Sequence, residues 1–209
     1  ASGGAARVTA ADISADAIAM AQRNAARNGL TNMDFLCEDT FELLPRLEKE
    51  GHPYDFIILD PPAFTKARRT VENAMRGYKE INYRAMKLLP RGGYLATASC
   101  SHFATEELFI KMLRSAAKDA HRQLRQIEVR QQAPDHPILW GVPETNYLKF
   151  FLSQALTRQL SQGESLCNSH TLRAKLQNFE SRFVQNRQIC LLPFSASSAI
   201  INAWTATAL

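Results

Sequence analysis

The clearest signal of fold class in the sequence is the segment Tyr54-Asp-Phe-Ile-Ile-Leu-Asp-Pro-Pro62. Its apolar run from Phe56 to Leu59 shows no alternation, which is typical of a strand buried on both faces of a parallel sheet. The two prolines end the strand, because neither has an N–H to donate and both fix φ. Asp60 is therefore expected at the carboxyl end of a central strand, where open α/β sheets bind their ligands. A carboxylate that only caps the strand before a turn is the alternative.

Strand and helix patterns alternate on both sides of this stretch. Further strands are predicted at 7–12, 33–37, 94–99, 124–131 and 146–152, and helices at 17–27, 40–49, 71–89 and 105–121, the first with Ser14 as its N-cap. This alternation predicts an α/β fold with a doubly wound, mostly parallel, Rossmann-like sheet. The last two strands are joined by a loop without a helix, which favours an antiparallel pair at the sheet edge.

The composition changes after residue 152, where Gln, Ser and Asn become frequent. We therefore divide the chain into a domain over 1–152 and an irregular tail of unknown role over 153–209, partly helical or disordered, with a helical pattern at 171–183. The uncharged segment 188–209 is about long enough to cross a bilayer. Pro193, Asn202 and several Ser and Thr residues dilute it, so no membrane contact is predicted.

The charge and cysteine content narrow the class of protein. A formal net charge of +5 and a pI near 9.2 permit nucleic-acid binding without establishing it. The four cysteines lie far apart without the spacing of metal ligands, so no metal site is predicted. They do not resemble a disulfide framework either, and a cytoplasmic location is the expectation.

Three predicted strands end in a residue that could carry chemistry, namely Asp12, Asp60 and Cys100. Strand ends of a doubly wound sheet share one rim, so these residues are expected to converge. An acid such as Asp12 commonly accepts hydrogen bonds from a ribose diol, although it could also be an ordinary strand-end cap. Cys100 lies between two serines, with His102 two positions on. A thiolate there would be a strong nucleophile if positive charge lowered its pKa, whereas most isolated cysteines are core residues.

Seven motifs together make a family resemblance. In order they are Ala11-Asp-Ile-Ser14, Cys37-Glu-Asp39, Leu59-Asp-Pro-Pro-Ala-Phe64, Arg76-Gly-Tyr-Lys-Glu-Ile-Asn82, Ser99-Cys-Ser101, Ala133-Pro-Asp-His-Pro137 and Tyr147-Leu-Lys149. Over about residues 5–152 the chain resembles the catalytic domain of the bacterial 23S ribosomal RNA large-subunit 5-methylcytosine methyltransferases. These are class I enzymes that use S-adenosylmethionine, and the resemblance implies ribosomal RNA as the partner while leaving a homodimer open.

The resemblance implies a role for each matching position. The cofactor would contact Asp12 at its ribose and Asp39 near its adenine, with Ile13 as a further contact. Asp60 and Pro61 would line the base pocket next to the methyl donor. The RNA would contact Pro62, Phe64, Lys66, Arg76 and Lys79, with Arg68 and Arg69 as further phosphate ligands. An ordinary solvated basic surface is the alternative for each of these cations.

The implied chemistry starts at Cys100. C5 of cytosine is a poor nucleophile, and attack of a thiolate at C6 makes C5 enamine-like, so that C5 can take a methyl group from a sulfonium. A base then removes the C5 proton and the cysteine is eliminated. A protonated Asp60 could support N3 during the attack. The target base must be unstacked to reach such a site.

The chain also departs from this family. The family's first strand and glycine-rich loop would precede Ala1, as would its amino-terminal RNA-binding domains, so we expect a truncated domain with two exposed inner sheet edges. Two other functions stay open. Exocyclic-amine methyltransferases place an aromatic residue directly after Pro-Pro, where this chain has Ala63 and then Phe64. The second alternative is a methyltransferase remnant without catalytic activity, or an RNA-binding module.

Overall fold

The computed structural model describes residues 1–51, 54–65, 67–156 and 189–193. The strands are β1 (Val8–Asp12), β2 (Met33–Cys37), β3 (Tyr54–Leu59), β4 (Tyr94–Ser99), β5 (Gln123–Arg130), β6 (Lys149–Leu156) and β7 (Ile189–Pro193). The helices are α1 (Ala15–Arg27), α2 (Thr40–Glu50), α3 (Val71–Leu88) and α4 (Glu106–Asp119), with short 3₁₀ turns at Arg68–Thr70 and Pro143–Thr145.

The ends of the helices follow local sequence signals. The Ser14 hydroxyl accepts a hydrogen bond from the Ala17 N–H at 3.3 Å, which confirms it as the N-cap of α1. Asp39 caps α2 in the same way, accepting from the Phe41 N–H at 2.8 Å. Helix α2 ends at Gly51, whose φ of 71° lies in the left-handed region that glycine adopts without strain.

The strand order in the sheet is β2-β1-β7-β3-β4-β6-β5. Strands β1 and β2 are parallel, as are β3 and β4. Strand β6 is antiparallel to both β4 and β5, which confirms the antiparallel pair predicted for the end of the domain. Two of the six pairs of neighbouring strands are parallel and four are antiparallel, so the sheet is mixed, although five of the seven described strands run in the same direction. The predicted α/β, doubly wound, Rossmann-like fold is confirmed.

Strand β7 is the feature that the sequence analysis did not anticipate. It lies between β1 and β3, antiparallel to both, so the two inner edges expected to be exposed are paired. Its sequence, Ile189-Cys-Leu-Leu-Pro193, is a short apolar run that ends in a proline, the same kind of signal as β3. This part of the segment 153–209 is therefore not irregular.

The boundary at residue 152 stays a prediction, although strand β6 continues past it to Leu156. The predicted helix at 171–183 lies outside the described residues, as does most of the uncharged segment 188–209. Among the helices that the structure describes, none is long and apolar enough to span a membrane.

The sheet separates two apolar clusters. Ile57 and Leu59 of β3 belong to the larger cluster, which they share with buried residues of α2, α3 and α4. Phe56 and Ile58 alternate with them and belong to the second cluster, on the opposite face. Strand β3 is thus buried on both faces, as its unbroken apolar run predicts, and Asp60 follows directly at its carboxyl end.

Candidate functional site

Four strands end at the same rim of the sheet. Strands β1 and β3 are both antiparallel to β7, so they share one direction, and β2 and β4 are parallel to them. Asp12 ends β1, while Asp39, Asp60 and Cys100 follow within two residues of the ends of β2, β3 and β4. The convergence predicted from the strand ends therefore occurs.

The ends of β1 and β2 form a pair of carboxylates flanked by exposed apolar side chains. Asp12 Oδ1 accepts a hydrogen bond from the Ser14 N–H at 2.7 Å. Ile13 is 70% exposed, and Phe41, two residues after Asp39, is 44% exposed. Carboxylate oxygens can accept from sugar hydroxyls, and apolar side chains can contact a purine ring, so this half of the rim suits an adenosine group.

Asp60 has the most perturbed carboxyl group at the rim. Burial at the end of the central strand raises its pKa from 3.8 to about 7. The carboxyl group therefore holds its proton well into the neutral range and can donate a hydrogen bond there. A shift of this kind at a sheet rim marks a candidate functional residue.

Tyr78 of α3 connects the loop after β3 to the end of β4. Its side chain is fully buried. Its hydroxyl accepts a hydrogen bond from Ser99 Oγ at 3.0 Å and a longer one from the Phe64 N–H at 3.5 Å, and it donates to the Pro62 carbonyl at 3.4 Å. One buried hydroxyl thus binds both segments that carry the Asp60 and Cys100 motifs.

The two serines beside Cys100 fix its backbone further. The Ser101 N–H donates to Ser99 Oγ at 3.3 Å, and Ser101 Oγ donates to the Thr65 carbonyl at 3.0 Å. The pKa of Tyr78 is raised chiefly by burial, and also by the negative charges of Cys100 and Asp60. Both groups therefore lie within electrostatic range of this hydroxyl, and Cys100 itself is partly exposed.

Replacing Tyr78 with phenylalanine is expected to destabilise the protein by about 1–3 kcal/mol, because Ser99 Oγ loses its buried acceptor. Urea unfolding monitored by circular dichroism measures the change. Tyr83→Phe, at a partly exposed position of the same helix, is the matched control and should change stability by less than about 0.5 kcal/mol. Equal effects of the two substitutions would contradict the connecting role of Tyr78.

Lys149 is a residue of the site to which the sequence analysis gave no role. Its side chain is buried, and Nζ donates to the Ser101 carbonyl at 2.5 Å and to the Tyr147 carbonyl at 2.7 Å. Burial lowers its pKa to about 8, while the negative charges of Cys100 and Glu106 oppose that shift. The available signals were its place in the Tyr147-Leu-Lys149 motif and at the start of a strand that opens Lys-Phe-Phe-Leu, where a buried charge needs partners.

Several of the residues predicted to bind RNA contact other residues of the chain. Phe64 packs against Tyr78 with ring centroids 4.6 Å apart, so its ring belongs to a partly buried aromatic cluster. Arg76 donates to Asn73 Oδ1 at 2.6 Å, and Lys79 forms a 2.7 Å ion pair with Asp119. Lys66 lies outside the described residues, as does the side chain of Arg68. Their contacts with RNA, like those of Pro62, stay predictions.

Comparisons with known proteins agree on the family. A family model described as "Methyltransferase domain" matches residues 1–162. The protein named Ribosomal RNA large subunit methyltransferase I from Klebsiella pneumoniae (strain 342) is 40% identical over 156 residues, which are 74% of this chain and 39% of that protein. Its namesake from Aeromonas salmonicida (strain A449) is 43% identical over 155 residues, 73% of this chain and 39% of that protein.

The chain thus spans about two fifths of the length of these curated relatives. Among solved structures, a Streptococcus mutans protein assigned as a SAM-dependent methyltransferase aligns with a TM-score of 0.61 at 19% identity, over 70% of this chain and 38% of that chain. A structure of a protein assigned as a methyltransferase, complexed with S-adenosylhomocysteine, aligns with the same TM-score at 20% identity, also over 70% and 38%. At these identities the two structures support the fold alone.

The match of the family model covers well over half of the chain, and the fold agrees with it. The chain therefore belongs to the methyltransferase domain family, whose methyl donor is S-adenosylmethionine.

Proposed function

We propose that this chain is the catalytic part of a ribosomal RNA methyltransferase that methylates C5 of a cytosine through a covalent adduct with Cys100. The observation that carries the proposal is the set of hydrogen bonds from Tyr78 and the flanking serines, which join the Asp60 loop to the Cys100 turn. Relatives named as ribosomal RNA large subunit methyltransferases support RNA as the substrate. We place the reaction in the cytoplasm.

In the proposed reaction the Cys100 thiolate attacks C6 of an unstacked cytosine, and a bond forms between Sγ and C6. The π electrons move toward N3, where the Asp60 carboxyl group donates its proton. S-adenosylmethionine, when bound, supplies an electrophilic methyl group that C5 can now take. Loss of the C5 proton to a base, with cleavage of the Sγ–C6 bond and return of the N3 proton to Asp60, restores both side chains.

The protonation of Asp60 supports this role. A carboxylate with an ordinary pKa would be ionised at neutral pH and could not donate to N3. Burial raises the pKa of Asp60 to about 7, so a large fraction of the group is protonated where the reaction is proposed to run. Strands β3 and β4 are adjacent, with Leu59 opposite Thr97, so Asp60 and Cys100 flank the same part of the rim.

The rim residues fit the adenosine half of the cofactor. Asp12 would bind the ribose hydroxyls, since only Oδ1 is used in the turn to Ser14. The exposed Ile13, together with Asp39, would border the adenine, and Asp60 with Pro61 would lie beside the methyl group. Residues that would hold the methionine half, such as a glycine-rich loop, are not found among the described residues.

Strand β7 favours a second candidate function, RNA binding without methyl transfer. A parallel strand between β1 and β3 would end at the rim and deliver its following loop there. Because β7 is antiparallel, with Ile189 opposite Ala11 and Leu59, it begins at that rim instead. Ile189 therefore lies at that rim between β1 and β3, beside the place proposed for the cofactor.

Methylation of an exocyclic amine is less well supported. That reaction uses an aromatic side chain after Pro-Pro to stack on the target base. Here Phe64 packs against Tyr78 and, with ring centroids 6.1 Å apart, against Phe41. Amine methylation also has no need of the thiol at position 100.

The nucleoside product tests the proposal. Purified protein is incubated with 23S ribosomal RNA fragments and S-adenosylmethionine, and the RNA is then digested and analysed by mass spectrometry. The proposal predicts 5-methylcytidine. N4-methylcytidine would instead establish the amine reaction, and RNA that is bound without being modified would establish the binding function.

Cofactor binding gives a separate prediction. Asp12→Asn is expected to weaken S-adenosylmethionine binding about tenfold in a calorimetric titration, because a charged acceptor for the ribose hydroxyls is lost. Asp16→Asn, in the exposed first turn of the neighbouring helix, is the matched control and should leave the affinity unchanged. Equal affinities of the Asp12 variant and the wild type would remove Asp12 from the cofactor site.

A further inference from the structure

We propose that Lys149 is a positioning residue for Cys100, which holds the turn after β4 in place and stabilises the Cys100 thiolate with its charge. The inference rests on the proposed function, because it assigns to Lys149 the preparation of the nucleophile for that reaction. Lys149 is part of the motif Tyr147-Leu-Lys149, but the family resemblance implied no role for it.

Strand register brings Lys149 to the turn that contains the nucleophile. Lys149 is the residue opposite Ser99 in the antiparallel pair of β4 and β6. Side chains of directly opposite residues lie on the same face of a sheet, so Lys149 extends beside Ser99 at the end of β4, whereas Cys100 packs against the apolar cluster of the other face. Its Nζ then reaches the carbonyl of Ser101 at 2.5 Å. Lys149 thus pairs with Ser99 and binds the carbonyl of Ser101, the two residues on either side of Cys100 in the sequence.

The donors of the ammonium group indicate what else it can bind. An ammonium has three N–H donors, and the carbonyls of Ser101 and Tyr147 take two of them. Carbonyl dipoles do not neutralise a buried charge, and an isolated buried cation is costly. The structure supplies negative charge from Glu106 of α4 and from Cys100, both of which favour the charged form of Lys149.

Two tyrosines also lie within electrostatic range of Cys100. The negative charge of Cys100 raises the pKa of both Tyr78 and Tyr147, after the larger effect of burial. Tyr147 in turn lies 3.0 Å from His136 Nδ1, Oη to ring nitrogen. Neutral tyrosine hydroxyls do not stabilise a thiolate as a cation does. Lys149, still mostly protonated at pH 7 with a pKa of about 8, supplies that cation.

The pH dependence of cysteine alkylation tests this proposal. The protein is treated with iodoacetamide, whose iodide is displaced by the thiolate, and the rate at each cysteine is followed by peptide mass spectrometry from pH 5 to pH 10. Cys100 is partly exposed and reachable, and the exposed Cys37 serves as an internal reference. The variants are Lys149→Gln, which keeps a donor without charge, and Lys149→Arg, which keeps the charge.

In the wild type, the midpoint of Cys100 alkylation is expected below the ordinary cysteine value of about 8.5 and below that of Cys37. Lys149→Gln should raise the Cys100 midpoint by about one pH unit and slow alkylation at pH 7 about tenfold, while Cys37 is unchanged. Lys149→Arg should restore most of the shift. A purely structural lysine would give no such charge-dependent rescue.

Two results would overturn the proposal. One is a wild-type Cys100 midpoint at or above that of Cys37, which decides the matter even if the glutamine variant does not fold. The other is a folded Lys149→Gln variant with the wild-type midpoint. Alkylation needs neither RNA nor cofactor, so a normal Lys149 effect without 5-methylcytidine would overturn the proposed function alone. Cytosine methylation with an unshifted alkylation profile would overturn the role of Lys149 alone.

Discussion

Cys100→Ser is expected to reduce methyl transfer to RNA by at least about 1,000-fold, because a serine hydroxyl is far less nucleophilic than a thiolate. Transfer of a radiolabelled methyl group to a ribosomal RNA fragment measures the effect. The substitution is nearly isosteric, so thermal unfolding should be almost unchanged. Cys167→Ser, at a cysteine outside every family motif, is the control and should retain activity.

Retained activity in Cys100→Ser would contradict attack by this thiol and would favour methylation of an exocyclic amine. Loss of activity in both cysteine variants would point to a general dependence on thiols instead. The prediction therefore separates a role of this particular strand-end cysteine from the reactivity of cysteines elsewhere in the chain.

Asp60→Asn is expected to stabilise the folded protein at alkaline pH. The pKa of Asp60 is raised in the folded protein, to about 7 from 3.8, so between these values the folded state holds a proton that the unfolded state has lost. Stability from this group is therefore present at low pH and decreases as the pH rises toward 7. A shift of this size corresponds to at most about 4 kcal/mol, and partial exposure of the side chain reduces the expected change to about 2 kcal/mol.

Urea unfolding of the wild type and the Asp60→Asn variant at intervals from pH 4.5 to pH 8.5 measures this effect. The asparagine mimics the protonated acid, so the two proteins should be similar near pH 4.5 and diverge with rising pH, the variant becoming the more stable. A difference that is constant across this range would mean that Asp60 has an ordinary pKa and cannot donate a proton to a base at neutral pH.

Features set by neighbouring residues could be predicted from the sequence. The unbroken apolar run of β3 and the two prolines after it place Asp60 at a strand end without knowledge of any partner. Ser14 caps α1 through a contact three residues away. The antiparallel pair of β5 and β6 followed from the absence of a helix between them. In the first two cases the information lies within a few residues, and in the third it lies within one loop.

Features set by distant residues could not be predicted in this way. Tyr78 binds Ser99, 21 positions away, and Lys149 binds Ser101, 48 positions away. Neither contact leaves a pattern in either segment. Strand β7 has a readable apolar run, but its place between β1 and β3 and its direction depend on which sheet edges are available. Pairing partners of that kind are fixed by the whole fold.

Covalent trapping with RNA that contains 5-fluorocytosine tests whether Cys100 forms an adduct with the target base. Fluorine replaces the C5 proton, so the adduct cannot be released after methylation and the Sγ–C6 bond persists. We expect a protein–RNA species, resistant to denaturant, that requires S-adenosylmethionine and is absent in Cys100→Ser. No adduct from a protein that binds both RNA and cofactor, or an adduct that persists in Cys100→Ser, would contradict this expectation.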